Sequence, residues 1–187
     1  MHKFEDPMLD ARHLALPDEL WQEAIRGGLP PYKAMVRAQL ALAIAIEQFL
    51  ALRSLNLIQL SFTKHLSWPA GPKAPALLRL DAEEMKNGQE HNAELPTHWS
   101  QRLLHYRDHL VPAALGTKSE ILFVTRFGNA KSQRTLAQQT QEVILSRLGI
   151  IMSLHQSFHM SRIAQDIGGK NGRKLTFHCN VHGAPDL

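Results

Sequence analysis

Two histidines four residues apart mark the first stretch of this sequence that could do chemistry. His155 and His159 lie in LHQSFHMSRIA, residues 154–164, with Phe158 between them where a charged partner would be expected. In a helix this spacing places both imidazoles on one face, where they can move protons or bind a metal ion. The stretch therefore predicts a catalytic histidine motif, a damaged one, or an ordinary buried helix.

An arginine follows a long apolar segment much earlier in the chain. Arg53 lies in AIAIEQFLALRSLNLIQL, residues 43–60. A guanidinium presents a planar fork of donors that matches two phosphate oxygens, and it stays protonated at neutral pH. From this segment alone, a structural arginine that bonds to helix carbonyls or to surface carboxylates is as good an interpretation as one that binds phosphate.

A lysine stands beside a turn signal in the middle of the chain. Lys86 precedes Asn87-Gly88, and Asn-Gly between apolar runs is the strongest short-range indication of a hairpin. A lysine at a hairpin tip can act as a mobile proton donor near a phosphate. By itself, a lysine in this setting is more often a solvated turn residue with no further role.

Several helices are needed to position these side chains. Residues 32–52 are rich in Ala and Leu with few polar interruptions, which predicts a helix buried on more than one side at the centre of the core. Pro17 predicts the start of a short helix, and Pro112 predicts the stop of another. The further helices are expected at 17–26, 97–115, 136–150, where Gly149 closes the helix, and 151–166.

A small sheet is expected between the central helix and the later helices. Apolar runs at 77–80 and near 93–95 flank the Asn-Gly pair, which predicts a hairpin or a three-stranded sheet. Residues 121–129 predict one further short β-like segment that ends in a Gly-Asn turn. The tail after Gly168-Gly169 has no clear period, so its packing stays open.

Composition limits the class of protein. The chain has 187 residues, of which 44% are hydrophobic, and this predicts one globular domain with a real core. Its formal charge of +4 permits a nucleic-acid partner without requiring one. The single Cys179 excludes an internal disulfide and a Cys-rich zinc site. Without an apolar run of membrane-spanning length, we expect a soluble, cytoplasmic protein with no membrane partner.

The order of these segments resembles the catalytic domain of tyrosine recombinases, the phage-integrase family. Residues 43–66 resemble the family's first active-site box, a buried helix followed by a Leu-Arg pair and a short N-L-x-x-L helix. LRLDAEEMKNGQEHNAELP resembles its β-hairpin, and ILFVTRFGN resembles its "LF…G" strand and turn. The resemblance covers roughly residues 12–167.

The resemblance implies a mainly helical α+β fold with a small antiparallel β-sheet, the DNA breaking-rejoining enzyme fold. It divides the chain into an N-terminal helix and linker at 1–30, an integrase-like catalytic domain at 31–167 and an unpatterned tail at 168–187. It implies site-specific DNA recombination or integration in a mobile element, with double-stranded DNA or other recombinase subunits as partners. No metal or nucleotide cofactor is implied.

The family's catalytic residues can be carried over at four positions. Arg53 matches the first catalytic arginine, and Lys86 matches the lysine that protonates the leaving 5′ oxygen. His155 matches the first histidine of the family's His-x-x-Arg box, and His159 would be an auxiliary donor in that box.

Two departures from the family pattern argue against strand cleavage. Phe158 stands where the box has its second arginine, and Arg162 lies one turn further, about 5–6 Å along a helix, which is far for catalysis. The family's nucleophile is a tyrosine downstream of the box, but both tyrosines here, Tyr32 and Tyr106, precede it. We therefore expect DNA contact with little or no turnover.

Other interpretations stay open at this point. A degenerate domain could bind DNA or an intact recombinase subunit without cutting, or the chain could be a nonfunctional remnant of a frameshift or truncation. The pairs His105/His109 and His155/His159 have metal-ligand spacing, but neither has the Glu or third ligand of a zincin pattern. Exposed histidines, or histidines satisfied within the core, are the alternative to a metal site.

Overall fold

The computed structural model describes residues 7–50, 52–85 and 88–153. Within them a three-stranded antiparallel sheet, in the order β1-β2-β3, accompanies a set of helices. The strands are β1 (Leu66–Ser67), β2 (Leu77–Leu80) and β3 (His91–Glu94). The helices are α1 (Pro7–Ile25), α2 (Pro31–Phe49), α3 (Ser54–Ile58), α4 (Thr97–His105), α5 (Val111–Leu115) and α6 (Gln133–Leu148). The predicted class, mainly helical α+β with a small antiparallel sheet, is confirmed.

Helix α2 forms the centre of the core, as its Ala- and Leu-rich sequence predicts. It is buried from Ala34 to Gln48 except at Val36 and Arg37. Helices α1, α4, α5 and α6 all pack against it, and its many alanines allow these neighbours to approach closely. Pro31 occupies the first turn, where a missing N–H costs nothing, and the chain becomes extended at Leu50.

Helix α1 begins at Pro7 and continues through Pro17, so the prediction of a helix starting near Pro17 was wrong about its start. A proline inside a helix leaves the carbonyl four residues earlier, here that of His13, without its usual donor. Gln48 Nε2 of α2 donates to that carbonyl at 2.8 Å. A side chain from the neighbouring helix therefore satisfies the group that Pro17 leaves open.

Pro112 likewise does not stop its helix, contrary to prediction. A π-helical turn, Tyr106–Leu110, joins α4 to α5, and the Val111 N–H donates to the Tyr106 carbonyl five residues back. Because this wide turn ends just before Pro112, the proline occupies the first turn of α5, where no N–H is required. The helical run ends at Gly116, whose φ of 74° is left-handed.

The sheet contains the predicted hairpin. β2 pairs with β3 so that Leu80 lies opposite His91, and β1 pairs with the other edge of β2 through Leu66 and Leu78. Residues 81–90 connect β2 to β3. This connection is longer than a two-residue Asn-Gly turn, and it contains a 3-10 turn, Ala82–Glu84, near its start. The expected β-like segment at 121–129 forms single bridges, Ser61 to Ile121 and Val124 to Ala130.

Helix α6 matches the predicted amphipathic helix closely at its end. The Ser132 hydroxyl accepts from the Thr135 N–H at 3.1 Å, and Gly149 closes the helix with a φ of 70°. Residues 151–153 are not helical, and the rest of the helix predicted at 151–166 lies outside the described residues. Among the described residues, no helix combines the length and the apolar character needed to cross a bilayer.

A buried carboxyl group lies on the central helix. Glu47 of α2 is 0% exposed, and neither of its carboxyl oxygens has a hydrogen-bond partner among the described residues. Burial raises the pKa of Glu47 to about 8. The group is therefore mostly protonated in the folded protein at neutral pH, whereas it is ionised in the unfolded chain.

The raised pKa of Glu47 predicts that the folded state loses stability as pH rises from about 4.5 to about 8. Over this window the folded state binds a proton that the unfolded state has released, and the loss by pH 7 is of the order of 3 kcal/mol. Glu47→Gln, which keeps the shape but cannot titrate, should remove this slope. Urea unfolding at pH 5, 6, 7 and 8 measures it, and equal slopes in both proteins would contradict the assignment.

Candidate functional site

Arg53 projects from the junction between the central helix and α3. Leu50 and Leu52 on the same stretch are buried at 4% and 1% exposure, whereas Arg53 is exposed. Arg53 is the N-cap residue of α3, and its carbonyl accepts from the Leu57 N–H at 2.9 Å. The two leucines anchor the backbone, and no hydrogen bond or ion pair with a described residue engages the guanidinium. Arg53 is thus held by its backbone while its charge faces outward.

The turn after β2 is a self-capped 3-10 turn. Asp81 and Glu84 form a capping box, in which Glu84 Oε2 accepts from the Asp81 N–H at 3.0 Å and the Asp81 side chain accepts from the Glu84 N–H. The two reciprocal bonds satisfy backbone donors at the start of the turn. They fix the path of the chain from Asp81 to Met85.

This turn lies against α3. Asn56 Nδ2 of α3 is 3.0 Å from Met85 Sδ, within reach of a weak hydrogen bond to the thioether. Asn56 follows Arg53 by three residues, and Arg53 is the N-cap residue of the same short helix. The structure therefore brings the helix that carries Arg53 next to Met85, which immediately precedes Lys86 in the chain.

A second set of contacts joins the same turn to the segment after α3. Glu84 Oε1 accepts from Lys64 Nζ at 2.6 Å and lies 3.0 Å from His65 Nε2. His65 Nδ1 accepts from the Ser61 N–H at 2.9 Å, and the His65 side chain is buried. His65 also accepts, through its carbonyl, from the Arg79 N–H of β2 at 2.9 Å. His65 therefore links the α3 region to both β2 and the turn.

The Glu84 carboxylate is stabilised by this arrangement. Partial burial alone would raise its pKa, but hydrogen bonds from Lys64, His65 and the Asp81 N–H outweigh burial and hold the pKa at about 2. The hydrogen bond to Glu84 in turn raises the pKa of Lys64. At neutral pH the turn thus carries a carboxylate whose acceptor capacity is used by neighbouring donors.

Of the four site residues predicted from the sequence, one lies in the part of the chain that the structure describes. Arg53 lies in the described part of the chain, whereas Lys86, His155 and His159 lie outside it, so their positions stay predictions. Sequence reasoning missed His65 and Glu84. The D-A-E-E spacing of a capping box was a usable signal for Glu84, but nothing in the sequence marked His65 as its partner.

Neither tyrosine of the chain is free to act as a nucleophile beside Arg53. Tyr106 is 0% exposed; its hydroxyl donates to the Leu122 carbonyl at 2.9 Å and accepts from Gln39 Nε2 at 2.7 Å. Burial raises the pKa of Tyr106 above its ordinary value. Tyr32 lies at the start of α2, and Arg53 follows the end of this helix. Because the helix is about 28 Å long by its rise per residue, the two residues lie far apart at its opposite ends.

The described histidine pair does not form a recognisable metal centre. The rings of His105 and His109 have centroids 4.8 Å apart, and partial burial together with the neighbouring His109 lowers the pKa of His105. Among the described residues, no group of three or more His, Cys, Asp or Glu side chains converges to hold a metal ion. The other pair, His155 and His159, lies outside that range.

The fold is similar to that of two solved structures of the XerH site-specific recombinase. One is a post-cleavage complex with a palindromic difH substrate, and it matches 78% of this chain at 19% identity with a TM-score of 0.54. The other is a pre-cleavage complex with difH, and it matches 76% of this chain at 20% identity with a TM-score of 0.54.

These matches cover 38% of each XerH chain, so this chain spans well under half of that recombinase. No protein-family model matches the sequence, and no curated protein matches it. At this level of identity the comparison concerns the fold. The fold of this chain is therefore similar to that of a site-specific recombinase, which confirms the fold implied by the sequence resemblance.

Tyr106→Phe should lower the free energy of unfolding by about 1–3 kcal/mol, because it leaves the buried Leu122 carbonyl and the Gln39 amide short of a partner. Urea unfolding at pH 7 measures the change. Tyr32→Phe is the matched control, since Tyr32 is 37% exposed, and it should stay within about 0.5 kcal/mol of the unsubstituted chain. Equal effects of the two substitutions would refute the structural role given to Tyr106.

Proposed function

We propose that this chain is a DNA-binding domain of the tyrosine-recombinase type that does not complete strand cleavage by itself. Arg53 contacts the phosphodiester backbone of double-stranded DNA, and Lys86 contacts the same region. The observation that carries the proposal is the exposed guanidinium of Arg53, which no described residue engages and which lies on the helix beside the turn that leads into Lys86. It occurs in a fold shared with a recombinase.

The chemistry of Arg53 favours a phosphate ligand. An exposed guanidinium with no hydrogen bond or ion pair to a described residue keeps its planar donor fork available for two phosphate oxygens. Its backbone directly follows the buried Leu52 and caps α3, so little conformational entropy of the main chain is lost on binding. Glu84, the acidic residue of the turn whose contacts the structure gives, pairs with Lys64 at 2.6 Å and not with Arg53.

Lys86, His155 and His159 enter the proposal from the sequence resemblance. Lys86 would reach the leaving 5′ oxygen or an adjacent phosphate, His155 would contact the scissile phosphate, and His159 would act as an auxiliary donor. We assign these roles to a catalytic-type domain at 31–167, with 1–30 as an N-terminal helix and linker and 168–187 as a tail. Because Phe158 stands in place of an arginine, the phosphate would lack one charge-assisted contact.

The lack of a suitable nucleophile supports binding without cleavage. Covalent strand cleavage in this family needs a phenolic oxygen at the scissile phosphate. The Tyr106 hydroxyl is buried and hydrogen-bonded on both sides, and Tyr32 lies at the far end of α2 from Arg53. The residues of this chain therefore favour contact with DNA and no covalent intermediate.

The structural neighbours support DNA as a partner of this chain. The XerH structures are complexes with difH substrates, before and after cleavage. A shared fold makes a DNA partner the first to test, and the net charge of +4 is compatible with one. Integration or recombination as a complete reaction would need groups that this chain does not supply, such as a nucleophile from another subunit.

Arg53→Ala should weaken binding to a fluorescent 30-bp duplex and lower the dependence of log Kd on log salt by about 0.9, the loss of one phosphate contact. Fluorescence anisotropy between 50 and 200 mM salt measures both quantities. Arg26→Ala is the matched control, because Arg26 is an exposed arginine just after α1, at the end of α2 opposite Arg53.

The control separates a specific contact from a general effect of charge. Arg26→Ala removes the same formal charge and should leave Kd within a factor of about two. Equal losses for Arg53→Ala and Arg26→Ala would reduce the effect to net charge and would count against a phosphate contact at Arg53. Absence of binding by the unsubstituted chain at 50 mM salt would overturn the proposed function.

Incubation with nicked duplexes should yield no protein–DNA adduct that survives boiling in detergent, because neither tyrosine can reach the phosphate held at Arg53. Gel electrophoresis with labelled DNA measures this. A recombinase that forms a phosphotyrosyl adduct on its own nicked substrate serves as the positive control. An adduct formed by this chain and abolished in Tyr32→Phe or Tyr106→Phe would show that the nucleophile was wrongly excluded.

A further inference from the structure

Both ring nitrogens of His65 have a hydrogen-bond partner. Its Nδ1 accepts from the Ser61 N–H at 2.9 Å, and its Nε2 lies 3.0 Å from Glu84 Oε1. A backbone N–H is always a donor, so Nδ1 must offer its lone pair, and the neutral ring carries its proton on Nε2. Nε2 therefore donates to Glu84, and neither ring nitrogen is left for acid–base chemistry or for a metal.

Glu84 is equally occupied on its side of the contact. One oxygen accepts from His65 and from Lys64 Nζ, and the other accepts from the Asp81 N–H. His65 is 4% exposed, so this contact is shielded from water and is stronger than an exposed pair would be. The pair joins two parts of the chain that are nineteen residues apart in sequence.

We propose that His65 and Glu84 are positioning residues, which hold the turn leading into Lys86 against the α3 region that carries Arg53. The inference rests on the proposed function, because it assigns to the pair the relative placement of two DNA-contacting cations. The Asn56–Met85 contact joins the same turn to α3 itself, whereas the contact of Glu84 with His65 joins it to the segment after α3. Contacts at two successive residues of the turn, Glu84 and Met85, therefore hold it against two neighbouring parts of the chain.

Electrostatics and positioning predict opposite signs for the loss of Glu84. Removing a carboxylate near a phosphate-binding surface by itself raises the affinity for DNA, because a repulsive charge disappears. Removing a residue that places the turn lowers the affinity. Glu83 is the matched control, because it is an exposed acid on the same turn and makes no hydrogen bond or ion pair with a described residue.

The first test compares Glu84→Ala, Glu83→Ala and His65→Ala by fluorescence anisotropy on the same 30-bp duplex, with circular dichroism to verify folding. Glu84→Ala and His65→Ala should each weaken binding about five-fold, the scale expected for one lost contact between neighbouring groups. Glu83→Ala should bind as tightly as the unsubstituted chain or more tightly. Unchanged or tighter binding by Glu84→Ala would overturn the inference.

A double-substitution cycle distinguishes positioning from a general loss of stability. Lys86→Ala should weaken binding in the unsubstituted chain and have little further effect in Glu84→Ala, because the lysine is then no longer placed at the DNA. Strictly additive losses would mean that Glu84 does not act through the turn, and would overturn the inference.

A measurement without DNA separates failure of the inference from failure of the proposed function. Nitrogen-15 NMR of the His65 ring should show the proton on Nε2, and His65→Ala, which leaves the capping box of Glu84 intact, should speed amide hydrogen exchange at 81–85 about ten-fold while leaving α6 unchanged. A proton on Nδ1, or unchanged exchange at 81–85, would overturn the link itself. If the link is present and the unsubstituted chain does not bind DNA, the proposed function fails and the positioning role fails with it.

Discussion

The burial of α2 is the constraint on which the rest of the structure depends. A helix with almost every residue inside the core buries its few polar side chains, which is costly unless they are hydrogen-bonded, and two of them bond to distant parts of the chain. Gln48 donates to the His13 carbonyl and so makes a continuous α1 possible, and Gln39 donates to the Tyr106 hydroxyl and to the Val124 carbonyl. Two glutamines on one buried helix therefore connect it to α1, to the π-helical turn and to the segment before α6.

The same helix determines where Arg53 lies. Because Leu50 and Leu52 remain in the core after α2 ends, the backbone is anchored and the next residue faces outward at the start of α3. The short helix then offers Asn56 to Met85, and the following segment offers His65 and Lys64 to Glu84. The exposed Arg53 thus adjoins a region in which two of the three contacts, Asn56–Met85 and His65–Glu84, are partly buried.

The buried tyrosine illustrates how one residue type can serve structure in place of chemistry. Tyr106 has the phenol that recombinase chemistry uses, but its hydroxyl is committed to Gln39 and to the Leu122 carbonyl. A phenol in this setting is held neutral by burial, which raises its pKa, and cannot approach a phosphate. A fold similar to that of XerH therefore does not by itself imply cleavage by this chain.

The sequence by itself determined the features that depend on local pattern. The central helix, the hairpin strands and the end of α6 at Gly149 follow from periodicity and turn chemistry within a few residues, and the order of these elements was enough to recognise the fold. Only the tertiary structure decided the course of the chain at Pro17 and Pro112 and the pairing of His65 with Glu84. Each of these depends on a partner distant in sequence or on a change of helical register, and local patterns carry no information about such partners.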